Sequence, residues 1–203
     1  MCATAQRSFA EWDQHPQGRA LGGTPPVTLI KIGDAPKRGV SGNYSHPLDG
    51  IRVLDLSRIL AGPVCGRTLA GESLDYHTYV SRREQVTRPP LSHVAHGADV
   101  LLVTSPNLPS LPLIDIDTSR GKRTTQLDLT LPLDRETLST LVKDTDVFLQ
   151  AYRPGGLSAK GFGPADLAKL QPGIVYASLT AWGVGGAMER QARGMSLPCL
   201  ICT

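Results

Sequence analysis

The chain has 203 residues, of which 40% are hydrophobic and 19% charged, and its formal net charge is +3. Such a length and composition suit one globular domain of ordinary size, or one domain with tails. The charge is too small and too dispersed to argue for nucleic acid, and no apolar run approaches the length of a membrane span. The N-terminus lacks an apolar signal core and soon meets Glu11 and Asp13. A cytoplasmic protein is therefore expected, with mitochondrion and peroxisome left open, and neither a nucleic-acid nor a membrane partner. Cys2, Cys65, Cys199 and Cys202 suggest no disulfide framework.

In chain order, Ser8–Arg19 predicts a short helix with Phe9 and Trp12 on one face, ended early by Pro16. Val27–Ile32 alternates apolar and polar residues and predicts a strand, followed by an irregular linker to Pro47. Ile51–Leu56 is rich in branched residues and predicts a strand. Gly62-Pro63 then suits a tight turn into a helix that faces a sheet with Val64, Thr68 and Leu69. Ala98–Thr104 is nearly all apolar, as a strand buried on both faces should be. Thr124–Leu129 is a further strand candidate. Asp134 is placed to cap a helix running to about Lys143, with Leu138, Leu141 and Val142 inward. Asp146–Gln150 predicts a strand, Pro164–Gln171 a short helix, and Ile174–Thr180 the last strand. This alternation predicts a parallel α/β sheet with flanking helices.

Leu48–Pro63 reads LDGIRVLDLSRILAGP. It resembles the opening of family III (CaiB/BaiF-type) CoA-transferases, whose usual pattern is LxGxxVLDLSxxxAGP. Gly97–Val100, Arg120–Arg123 leading to Leu127–Leu129, Tyr152–Gly155 and Ala177–Gly183 agree with that family in order. Any one of these stretches is weak, but together they are specific. The resemblance covers roughly Leu48 to Gly194. It implies a Rossmann-like CoA-binding sheet, incomplete in this chain, and a homodimer whose subunits interlock. It also implies acyl-CoA and carboxylic acid substrates, with coenzyme A as substrate rather than a permanently bound cofactor. Family members move CoA between acids through an aspartyl anhydride, or racemise 2-methylacyl-CoA esters. A carboxylate suits the first chemistry because it is ionised at neutral pH and forms a covalent intermediate.

By the same resemblance, CoA contacts fall at Leu60 and Ala61 after the first strand, at Leu127 and Thr130 after the third, and at Ala151, Tyr152 and Arg153 after the fourth. Backbone at a strand-to-helix turn can meet a phosphate, Tyr152 can stack on adenine, and Arg153 can pair a phosphate. The chain departs from the family pattern in three places. Thr104-Ser105 stands where the family has Glu-Arg or Glu-Pro, Ala151 where it has Asn, and Thr130 where a Lys often binds. The lost charges predict weak or absent CoA binding.

The pattern also breaks twice along the chain. Joining Ala70 to Ala95 restores it, so residues 71–94 are expected to be a non-family insert. Residues 195–203 are expected to be a non-family tail, leaving 48–194 as a partial family domain and 1–47 as a tail or linker, a remnant of an upstream half. Both breaks can be encoded with splice-donor-like bases, which motivates the hypothesis of translated introns; genomic DNA lacking splice sites there would refute it. The family's nucleophilic aspartate lies beyond the point where this chain departs from the pattern. No catalytic residue is therefore assigned, and a truncated, inactive form is expected. The alternatives are a non-catalytic CoA- or nucleotide-binding fragment and a 2-methylacyl-CoA racemase relative. No metal site is assigned: Cys199-Leu200-Ile201-Cys202 lacks a second ligand pair, and His77, His93 and His96 read as surface histidines. Arg120-Gly121-Lys122-Arg123 is a basic turn, either solvated or turned toward CoA phosphates.

Overall fold

The computed structural model describes residues 8–36, 39, 44–70, 96–183 and 185–186. The segment 71–94 and the tail 195–203, including Cys199 and Cys202, lie outside the described residues, as do His77 and His93. Five parallel strands form the sheet: β1 (Arg52–Leu56), β2 (Asp99–Thr104), β3 (Arg123–Gln126), β4 (Val147–Gln150) and β5 (Val175–Ser178), in the order β3-β2-β1-β4-β5. This is the doubly wound order, with its direction reversing between β1 and β4.

Every strand expected around this sheet is present, though β3 and β5 are shorter than the segments expected for them. Strand β1 shows why the sheet must be covered on both faces. Leu54 and Leu56 point into one core with Val103, Phe148, Leu138, Val142, Phe162 and Leu167. Val53 points into the opposite core with Val100, Leu149, Ala98 and Ala70. The first core is covered by α5 (Pro132–Lys143) and α6 (Pro164–Leu170), and the opposite one by α3 (Ala61–Ala70). The stacked rings of Phe148 and Tyr176 join β4 to β5, with centroids 5.6 Å apart.

Several local expectations are corrected. Val27–Ile32 is not a strand; Val27, Leu29 and Ile30 are largely exposed. Alternation alone does not make a strand where no neighbour offers a hydrogen-bonded edge. Helix α3 starts at Ala61 and buries Gly62, Pro63, Gly66 and Ala70, while Thr68 is exposed. Its inner face is thus mostly small residues, because the helix lies close to the sheet, with Leu69 packed against the same core as expected. Asp134 does not cap α5 as its N-cap, which is Leu131; its carboxylate instead accepts the Asp128 amide at 2.6 Å. The N-terminal helix is divided at His15 into α1 (Phe9–Gln14) and α2 (Pro16–Leu21), since Pro16 cannot donate to the preceding turn and instead opens a new helix. A helix not anticipated, α4 (Pro112–Thr118), links β2 to β3.

Candidate functional site

The carboxyl ends of all the strands open into one cleft of about 810 Å³. In an open parallel sheet this edge is where ligands bind, most often at the point where the strand order reverses. Here that point is flanked by the loops after β1 and β4. Leu60 and Ala61 line the cleft from the first loop, Leu127 and Thr130 from the loop after β3, and Ala151, Tyr152 and Arg153 from the loop after β4. The fold thus brings together every residue placed at the site by resemblance.

Beside the first of these loops lies a buried polar cluster. Asp55, near the end of β1, accepts a hydrogen bond from Ser57 Oγ and pairs with Lys122 Nζ at 2.7 Å. Both side chains of the pair are excluded from solvent, and Lys122 also donates to the Pro63 carbonyl at 2.8 Å. The cluster ties three segments together: the end of β1, the first turn of α3 and the turn before β3. It also explains two glycines, Gly62 in the opening motif and Gly66 four residues later. A Cβ on Gly66 would overlap the Asp55 carboxylate and stand 2.9 Å from Lys122 Nζ, and one on Gly62 would overlap Ser57. The basic turn before β3 is therefore structural. Arg120 pairs with Asp117 at 2.6 Å, and Arg123 grips Asp99 through its fork at 2.6–3.1 Å. None of Arg120, Lys122 and Arg123 lines the cleft.

Between Ser57 and α3 the chain makes a strained step. Ile59 has φ 75°, a conformation costly for a β-branched residue, and its side chain lines the cleft. The strain turns the chain so that α3 begins at the cleft floor, with Leu60, Ala61 and Gly62 all lining it.

Cationic side chains at the cleft are Arg58, Arg153 and Lys160. Of these only Arg153 was anticipated. Arg58 sits within the opening motif at a position the pattern leaves free, and it donates to the Pro109 carbonyl. Lys160 follows the loop after β4 on a short 3-10 turn (Ser158–Lys160), so sequence position alone gave no sign of it. Both reach the cleft from loops other than those carrying Thr104-Ser105 and Thr130.

Among the described residues Asp128 is the carboxylate that lines the cleft. Its oxygens accept from the Thr130 amide at 2.9 Å, the Thr130 hydroxyl at 2.7 Å and Asn107 Nδ2 at 2.7 Å. The Thr130 hydroxyl and amide, then Asn107, hold its carboxyl below the ordinary carboxylate range. Burial pushes the Tyr152 phenol up, so this ring stays neutral across the physiological range. The Gln150 carboxamide braces the loop, accepting the Tyr152 amide at 2.8 Å and donating to Ser178. His96 lies at the opposite, amino-terminal edge of the sheet, where its carbonyl accepts the Leu48 amide at 2.7 Å.

The cleft thus combines an apolar floor, the start of a helix and a cationic rim. The family model of CoA-transferase family III matches residues 109–197. The probable fatty acyl-CoA transferase Rv3272 of Mycobacterium tuberculosis is 35% identical over 144 residues, which are 71% of this chain and 34% of that protein. The chain belongs to CoA-transferase family III. Human succinyl-CoA:glutarate CoA-transferase is 30% identical over 150 residues, covering 74% of this chain and 32% of the human protein. Among solved structures, Rv3272 superposes with a TM-score of 0.56 at 31% identity, over 73% of this chain and 36% of that one. A CAIB/BAIF family protein from Brucella suis gives a TM-score of 0.54 at 30% identity, over 72% of this chain and 36% of that one. The chain spans about a third of the length of these relatives.

Proposed function

We propose that the cleft binds the CoA part of an acyl-CoA thioester, and that residues 48–194 are the CoA-binding portion of a machinery that transfers CoA between carboxylic acids. The observation that carries this reading is the arrangement of Arg58, Arg153 and Lys160 around an apolar cleft at the strand-order switch point. CoA carries phosphates at one end and a long, weakly polar arm at the other. A rim of cations and a floor of Leu60, Leu129 and Leu179 suit both parts. Tyr152 offers a neutral aromatic face for adenine.

In the transfer chemistry, a carboxylate oxygen attacks the thioester carbonyl and expels the CoA thiolate, leaving an acyl anhydride. None of the described residues is assigned that role. Asp128 is the carboxylate at hand, but Thr130 and Asn107 already hold both its oxygens, and its lowered basicity makes it a poor nucleophile. In this reading the chain alone binds CoA without turnover. An interlocked homodimer, a cytoplasmic setting and the status of 71–94 and 195–203 as non-family segments belong to the same reading. Among the described residues no helix is long and apolar enough to cross a membrane.

Titration calorimetry of the full chain with CoA tests binding, and labelled exchange between acyl-CoAs and free acids tests turnover. Arg58→Ala and Lys160→Ala should each weaken CoA binding about tenfold, which is about 1.4 kcal/mol. No heat of binding up to several millimolar CoA would sink the reading. Turnover abolished by substituting one Asp of this chain would sink the assignment of catalysis elsewhere.

A further inference from the structure

The amino-terminal helical pair is built against the rim of the cleft. Gln17 on α2 is completely buried, which is unusual for a side chain with so many polar atoms. Its carboxamide nitrogen donates to the Trp182 carbonyl at 2.7 Å and to the Gly185 carbonyl at 3.0 Å. Both acceptors belong to the loop after β5, and Leu179, Thr180, Ala181, Trp182 and Gly183 of that loop line the cleft. The two bonds bridge segments 165 and 168 positions apart in the chain.

The packing around these bonds depends on glycines. A Cβ on Gly183 would stand 2.7 Å from Leu21 Cδ2, and one on Gly186 would stand 2.9 Å from the Ala20 Cβ. Both glycines have positive φ, at 77° and 85°. The loop therefore presents bare backbone to α2, and α2 presents Gln17, Ala20 and Leu21 to it. A Cβ on Gly18 would overlap the Trp12 carbonyl, so α1 also closes tightly over α2.

We propose that Gln17 is a positioning residue of the cleft, fixing Trp182 at its β5 wall. Two donated bonds from one rigidly buried amide set the carbonyl directions on either side of Gly183. They therefore set where the Trp182 ring stands, even though the loop's glycines give it freedom to move. The amino-terminal helices thus act on the ligand through the rim and not by contact. The affinity part of this inference rests on the CoA reading above; the placement of Trp182 does not.

The chain holds two tryptophans, Trp12 and Trp182, so the full chain carrying Trp12→Phe reports on Trp182 alone. In that background Gln17→Met keeps the length and shape of the side chain but removes its donors. Its far-UV circular dichroism and thermal transition should remain, while acrylamide quenching of Trp182 steepens at least twofold. The CoA dissociation constant should rise about tenfold. Unchanged quenching in the folded variant overturns the proposal, and steeper quenching with unchanged CoA affinity overturns its link to the ligand. If Gln17→Met loses its thermal transition, Gln17→Asn is read by the same quenching, because it keeps a carboxamide but draws its nitrogen back from both carbonyls. A steeper slope supports the rim placement, and an unchanged slope refutes it. Absence of CoA binding by the parent chain refutes the reading of the cleft, and the quenching comparison still decides the placement of Trp182.

Discussion

Lys122→Met should be among the most damaging single substitutions in this chain, although it is one of several basic residues in a short turn. The pair it forms with Asp55 is 2.7 Å long and has no solvent on either side chain. Met keeps much of the length and volume but leaves the Asp55 carboxylate buried with only Ser57 as a donor. Breaking a buried pair by removing one partner costs about 3–5 kcal/mol, because the remaining charge keeps its desolvation penalty without the compensating attraction. At a urea dependence of about 2 kcal/mol per molar, that lowers the unfolding midpoint by about 2 M. Replacing both partners, Asp55→Leu with Lys122→Met, should recover most of the loss, less about 1 kcal/mol for the Ser57 hydroxyl left without its acceptor. The internal control is Arg123→Ala. Its pair with Asp99 has good fork geometry, but the side chains are 70% and 44% exposed, so solvent screening limits it to about 1 kcal/mol or less. A Lys122→Met midpoint within about 0.5 M of the parent, or a double variant no better than the single one, would refute the role given to this cluster.

Gly62→Ala should destabilise the chain by about 1–3 kcal/mol in urea titration, since its Cβ would overlap Ser57 and press on Ala151 at 3.0 Å; a neutral effect would show that the turn after β1 gives way easily. The Cys65 thiol is pushed up chiefly by burial and next by the Asp55 charge, against a smaller opposing pull from Lys122. The unfolded chain therefore loses this proton first, so Cys65 should lower stability as pH rises past the ordinary thiol range. Thermal melts of parent and Cys65→Ala should diverge there, and parallel curves would contradict the assignment. Asp128→Asn removes negative charge from the cleft and should tighten CoA binding about threefold. Because Asp128 is held below the ordinary carboxylate range, the parent should show the same tightening only when pH falls through that lower value. A parent whose affinity already shifts within the ordinary carboxylate range would exclude Asp128 as the group responsible.

The middle of the sheet was legible in the sequence because β1, β2 and β4 are buried on both faces. Val53-Leu54 and Val100–Val103 must be apolar at consecutive positions when helices cover both sides, and that pattern survives without knowledge of the partner strands. The N-terminal segment shows the opposite case. Val27–Ile32 has the right alternation, but a strand is made by its neighbour, and the described chain gives it none. Helix α3 was placed correctly and Leu69 packs on the core as expected, but Thr68 is exposed and the small residues of the buried face were not read, for a physical reason. Apolar side chains mark an inner face when a helix stands off the sheet; glycines mark it when the helix lies close, and Gly62 and Gly66 carry no hydropathy signal. The cleft residues were reached only through resemblance, because strand ends far apart in sequence meet only once the strand order is known. Lys122 and Lys160 make the point sharply. Lys122 sits in a basic cluster yet is entombed beneath the site, whereas Lys160 has the sequence setting of an ordinary helix-end lysine yet lines the cleft.

That reversal separates what the family motif certifies from what decides the ligand. Within LDLSRILAGP and the glycine four residues after its own, the positions with demanding neighbours are Asp55, Ser57, Gly62 and Gly66. Asp55, Ser57 and Gly66 face inward, toward the Lys122 cluster or the first turn of α3, while Gly62 packs on Ser57 and also lines the cleft. The motif is therefore first a recipe for a turn: a buried carboxylate at the strand end, a hydroxyl to satisfy it, and glycines that let the helix approach. It delivers the start of α3 to the cleft floor whatever side chains stand between. Arg58, Ile59 and Leu60 are those side chains, and they line the cleft. A match to the motif thus argues strongly for the scaffold and for where a ligand sits. Further side chains reach the cleft from the loops after β4 and β5. In this chain those loops carry Arg153, Lys160 and Trp182, and the last of these is held by a helix from the other end of the sequence.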